Sequence, residues 1–96
     1  MTKYELALVV NAVIEDDARE AVLINVKDMI AKLGATDIKV DDAGKKRLAY
    51  DIQKMSEGYY YFIRFEAETS VPAQLEAKVR IMENVLRFLC IRLDEE

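Results

Sequence analysis

Histidine is absent from the 96 residues of this chain, and cysteine occurs once. The first absence removes the commonest general base and metal ligand, and so weakens any catalytic reading. The second excludes an intramolecular disulfide and leaves a structural zinc site without a ligand set. Such sparing cysteine use makes a reducing, cytoplasmic compartment the default expectation. No apolar run approaches the about 20 residues of a membrane span. At the start, Met1-Thr2-Lys3-Tyr4-Glu5-Leu6 places charge too close to the apolar residues for a secretory signal. Linkers, repeats and low-complexity segments are also missing, so residues 1–96 read as one domain. The acidic end, Asp94-Glu95-Glu96, is expected to be loose. A chain of this size buries roughly 60–70% of its extended surface, enough for one core.

Hydrophobic residues make up 52% and charged residues 33%, an ordinary globular balance rather than a disordered one. The formal net charge of −4 conceals a segregated pattern. Acids cluster at Glu15-Asp16-Asp17, Asp41-Asp42 and Glu66-Ala67-Glu68, whereas cations gather at residues 45–47 and at Lys78, Arg80, Arg87 and Arg92. Nucleic-acid binding depends on such local patches, so a mildly acidic total does not exclude it.

Periodicity defines the elements. Lys3 to Val10 alternates as a strand, with Leu6, Leu8 and Val10 expected inward. From about Asp17 the period becomes helical, and Ala18, Val22, Val26, Met29, Ile30 and Leu33 form one stripe. Asp17 and Glu20 stand in a near capping-box relation, and Gly34 is a stop. A second strand is expected over Asp37 to Val40, pausing at Asp41-Asp42-Ala43-Gly44 and resuming from Arg47 to Ile52. Gly58 ends the next turn, and Tyr59 to Ala67, aromatic and β-branched, is the strongest strand. Ser70 and Pro72 mark a helix start, with Leu75, Val79 and Met82 as its stripe. Asn84 ends that helix and Val85 to Leu93 is the last strand.

The order β-α-β-β-α-β fits an α+β, ferredoxin-like sandwich, a four-stranded antiparallel sheet with two helices on one face. Ile63, Phe65 and Ala67 belong inward because their alternates Arg64 and Glu66 are charged. On the last strand Leu86, Phe88 and Cys90 are placed inward, Cys90 as a buried small hydrophobe. The uncovered face then carries Val9, Tyr60, Phe62, Leu89 and Ile91, edged by Arg64 and Arg87, and such a patch suits a protein partner. The bland alternative is a half-covered sheet face that needs hydrophobes. Glu57 to Phe65 faintly echoes the base-stacking strand of RNA-recognition motifs, but that register would bury Arg64 and expose Ile63 and Phe65, so it is rejected.

The run Gly44-Lys45-Lys46-Arg47-Leu48-Ala49-Tyr50 reads as a basic turn opening onto a strand. It suits phosphate backbones, and no nucleophile, base or metal-ligand set accompanies it. Extended to Asp51-Ile52, this run resembles the signature of the bacterial small-subunit ribosomal protein S6 family: a glycine, basic or polar residues, Leu-Ala-Tyr, and an Ile two places on. Tyr4-Glu5, Gly58-Tyr59-Tyr60 and Asn84-Val85-Leu86-Arg87 fall at that family's spacing along the whole chain. Position 51, usually proline in the family, is Asp51 here, so strand pairing is free to extend further.

The resemblance implies a non-enzymatic part of the small ribosomal subunit, without cofactor, that pairs with ribosomal protein S18 and binds the central domain of 16S ribosomal RNA during assembly. On this reading Lys45, Lys46 and Arg47 touch phosphates, Arg80, Arg87 and Arg92 form a second basic edge with Lys3 nearby, and Tyr60, Phe62, Arg64, Leu89 and Ile91 meet the protein partner. Tyr4 and Tyr50 are structural. Two rival readings of the same fold remain. One is a homodimeric or small-molecule-sensing domain whose open faces stack. The other is an acylphosphatase-like enzyme, disfavoured because Asn11 to Asp17 is acidic and lacks the glycine and arginine of a phosphate cradle.

Overall fold

The computed structural model describes residues 2–52 and 55–93, with the side chains of residues 49–52, 55 and 56 not described. Expectations for the Tyr50 phenol and for the tail at residues 94–96 lie outside the described side chains and residues. Within them the order is β1 (Thr2–Asn11), α1 (Asp16–Lys32), β2 (Thr36–Ile52), β3 (Met55–Ala67), α2 (Val71–Val79) and β4 (Val85–Arg92). The strands form one antiparallel sheet in the order β2-β3-β1-β4, as the ferredoxin-like reading requires. Among the described residues no helix is long and apolar enough to cross a membrane.

One face of the sheet carries the core. Leu6, Leu8 and Val10 of β1 and Tyr61, Ile63, Phe65 and Ala67 of β3 are buried against Val22, Val26 and Ile30 of α1 and Val71, Leu75 and Val79 of α2. Met29 and Leu33 pack at its margin, so the α1 stripe holds apart from Ala18, which is exposed; α2 ends at Val79, short of the expected stop at Asn84, and Met82 packs at the core margin from the connection that follows. The inward position in the first turn of α1 belongs to Arg19, whose Nε donates to the Tyr61 hydroxyl at 3.1 Å. The capping box does not form: Glu15 is the N-cap without a side-chain bond, and Asp16 is held instead by Arg19 at 2.7 Å. Tyr4 is structural, as expected, buried 5.8 Å from the Phe65 ring.

Three expectations change once strand pairing is known. The pause at Asp41 to Gly44 is a bulge rather than a break, and β2 runs unbroken through position 51 to Ile52. Gly44 adopts φ +83°, a conformation that side chains disfavour, and its N–H donates to Asp42 Oδ1 at 3.0 Å, so the extra residue is accommodated locally. Gly58 does not end a turn but lies inside β3, opposite Lys46 and Asn11. A Cβ there would collide with Val9 Cγ1 and touch Leu48 Cδ2 at 3.4 Å, so close strand-to-side-chain approach is what requires glycine. Finally, the register of β1 and β4 shifts between Val9 and Val10, so Val85, not Leu86, lies opposite Val10 and packs on the core with Phe88 and Cys90.

Candidate RNA and protein interface

The face of the sheet away from the helices is ordered in rows set by register. Lys39, Arg64, Glu5 and Ile91 form one row, and Asp41, Phe62, Ala7 and Leu89 the next. Gly44, Tyr60, Val9 and Arg87 follow, then Lys46, Gly58 and Asn11. Tyr60, Phe62, Arg64, Leu89 and Ile91, the expected protein-partner residues, therefore share this face. Leu89 is 58% exposed and Ile91 43%, while the Tyr60 and Phe62 rings, 6.5 Å apart, are half-buried. Large apolar side chains left this open cost free energy in water, at about 25 cal/mol for each Å² that a partner would cover.

Val9 departs from expectation. It is 5% exposed and contributes nothing to the open patch, because the bare backbone of Gly58 lets it settle against the sheet. Leu48, also buried, borders the same glycine. This small second cluster could be found from sequence only by knowing that residues 9, 48 and 58 come together. Arg64 pairs with Glu5 across strands at 3.0 Å, an exposed ion pair worth about 0–1 kcal/mol.

The cations are distributed differently from a basic turn. Lys45, Lys46 and Arg47 are strand residues opposite Tyr59, Gly58 and Glu57 of β3, all three exposed. Successive strand residues face opposite sides. Lys46 thus lies on the open face, its Nζ 6.0 Å from the Tyr60 ring centre, and Lys45 and Arg47 lie on the helix side. The expected second basic edge is not assembled on one face. Arg87 and Lys3 share the open face near opposite ends of β1, Arg92 sits opposite the inward-facing Tyr4, and Arg80 caps the C-terminus of α2.

A polar network missed in the sequence ties the root of this region to α1. The Arg19 guanidinium lies 3.9 Å from the Tyr59 ring centre and bonds Tyr61, and the Tyr59 hydroxyl donates to Asp42 Oδ2 at 3.3 Å. The bond to Tyr61, more than the nearby Asp16, holds the Arg19 guanidinium above its ordinary pKa against the opposing effect of burial. Desolvation, then donation to Asp42, raises the Tyr59 phenol. Burial first, and Glu76 second, push the half-buried Cys90 thiol up to about 11, consistent with a packed, unreactive side chain. Among the described residues no group of three acidic, cysteine or histidine side chains could hold a metal ion.

The family model for Ribosomal protein S6 matches residues 3–92. The chain belongs to the ribosomal protein S6 family. It is similar to small ribosomal subunit protein bS6 of Moorella thermoacetica, 36% identical over 96 residues that cover 100% of this chain and 98% of the relative. It is likewise similar to bS6 of Clostridioides difficile, 38% identical over 91 residues covering 95% and 98%. Among solved structures, 30S ribosomal protein S6 of Thermotoga maritima superposes with a TM-score of 0.90 at 26% identity, over 96% of this chain and 87% of that one. An Arabidopsis thaliana protein, At3g17210, matches at a TM-score of 0.62 with 10% identity over 100% and 96%, a likeness of fold alone. The protein is thus a small-subunit ribosomal protein, in a family that is structural rather than catalytic. The family signature maps onto the bulge at Gly44, the three strand cations and the buried Leu48.

Proposed function

We propose that this protein binds the central domain of 16S ribosomal RNA jointly with ribosomal protein S18 as the small subunit assembles, in the cytoplasm. The observation that carries this reading is the open face, where Tyr60, Phe62, Leu89 and Ile91 stay accessible beside Lys46 and Arg87. Apolar area flanked by cations suits a protein partner and an RNA backbone meeting at one surface. Phe62 and Leu89 anchor the partner as neighbours in one row, with Ala7 between them. Arg64, already paired to Glu5, orients at the rim. Lys45, Lys46 and Arg47 neutralise phosphates, and Lys3, Arg80, Arg87 and Arg92 contribute at separate points rather than as one edge. Sharing the RNA with a partner accounts for a chain of net charge −4 that still engages a polyanion.

The test is capture from lysate with and without ribonuclease, with bound components identified. The reading expects S18 in both samples and 16S ribosomal RNA in the untreated one. Capture of neither contradicts it.

A further inference from the structure

The strand cations occupy both faces of a ribbon that has outgrown the sheet. The last β1–β3 pair is Asn11 with Gly58, so β2 from Arg47 onward and β3 before Gly58 run past the end of β1 as two strands. Lys46 lies on the open-face side of the ribbon root, and Lys45 and Arg47 lie on the helix side. The three side chains are exposed, and none makes an ion pair with a described residue. The acids nearby offset part of this charge. Both oxygens of Asp42 are engaged, by the Gly44 N–H and the Tyr59 hydroxyl; Glu57 opposes Arg47 on the helix side; Asp41 opposes Phe62 on the open side.

Successive side chains of a strand project to opposite faces, so Lys46 and the pair Lys45 and Arg47 reach out in opposite directions. A single phosphate backbone lying on one face leaves the cations of the other pointing away. Nor is the root free to roll, because Arg19 is stacked on Tyr59 and bonded to Tyr61, and Tyr59 is bonded to Asp42 across the strands. We propose that the β2–β3 ribbon inserts between two backbone segments of ribosomal RNA, Lys46 meeting one and Lys45 with Arg47 the other. This rests on the RNA-binding reading above and adds that the site is two-sided.

The experiment tethers a hydroxyl-radical source to one position at a time. Cys90→Ala removes the native thiol, and Lys45→Cys or Lys46→Cys supplies the attachment point in reconstituted small subunits. Two-sided insertion predicts cleavage of two separate tracts of 16S ribosomal RNA, one for each position; cleavage of the same tract from both overturns it. Should the tethered variants fail to enter the particle, Lys46→Ala and the pair Lys45→Ala with Arg47→Ala are compared by salt dependence of RNA binding. Each lost contact lowers the slope of log K against log salt by about 0.7–0.9, so the single variant loses about one such step and the pair about two. No change in either variant overturns the proposal. Failure of the unaltered chain to bind the RNA at all defeats the RNA-binding reading instead.

Discussion

The two faces of the sheet are built from alternate residues of the same strands, yet they are finished differently. On the helix side, Leu6, Leu8, Val10, Ile63 and Ala67 are fully buried. On the other, one β-residue away, Phe62 is half-covered and Leu89 and Ile91 stand in solvent. Hydrophobicity of the strands therefore does two things: the covered face holds the fold together, and the open face leaves apolar area that the proposed partner would cover. A substitution's effect should depend on which face it occupies more than on its chemistry.

That contrast breaks most sharply in the core. Ile63→Ala leaves a cavity in the buried core and is expected to lower stability by about 2–5 kcal/mol, read by urea unfolding. On the opposite face, Leu89→Asp, at a position 58% exposed on the edge strand and opposite Ala7, should leave the unfolding midpoint nearly unchanged while weakening the proposed association with S18 by about 2 kcal/mol in a calorimetric titration, as for an interface anchor. Gly58→Ala probes the exception, the buried spot on the open face. Its methyl group meets Val9, and the overpacking should cost about 1–3 kcal/mol of stability. The mildest effect is at Cys90. Its thiol is raised from 9.0 to about 11, so the folded state retains a proton that the unfolded chain releases earlier. The stabilisation is complete below pH 9.0 and fades as pH rises toward about 11. A thiol reagent at pH 8 should accordingly label Cys90 more slowly in the native protein than in urea.

Much of this architecture was legible because charge forces parity. Arg64 and Glu66 cannot be buried unpaired, so Ile63 and Phe65 must face inward, and the outward set follows. The helical stripes were equally plain. What escaped depends on pairing between distant residues. Asp-Asp-Ala-Gly reads as a break, but Asp42 accepts the Gly44 N–H and converts it into a bulge, which turns a basic turn into strand residues on two faces. The β1–β4 register shift exchanges Val85 for Leu86. Val9 looks exposed by parity and is buried because Gly58, opposite Asn11 and two residues before Tyr60 in β3, is glycine and leaves room for its side chain. Arg19 is polar, yet its guanidinium finds two tyrosines and a carboxylate, so it displaces Ala18 from the inward position.

The proposed complex covers the open face and leaves the helices in solvent. Side-chain oxidation by hydroxyl radicals, compared between the free protein and its complex with S18 and 16S ribosomal RNA, reads this directly. The prediction is that Tyr60, Phe62, Leu89 and Ile91 become protected while Ile24 on α1 and Ile81 in the α2–β4 connection, 55% and 83% exposed, are oxidised as before. Unchanged labelling of Leu89 and Tyr60, with protection of Ile24 or Ile81 instead, would contradict it.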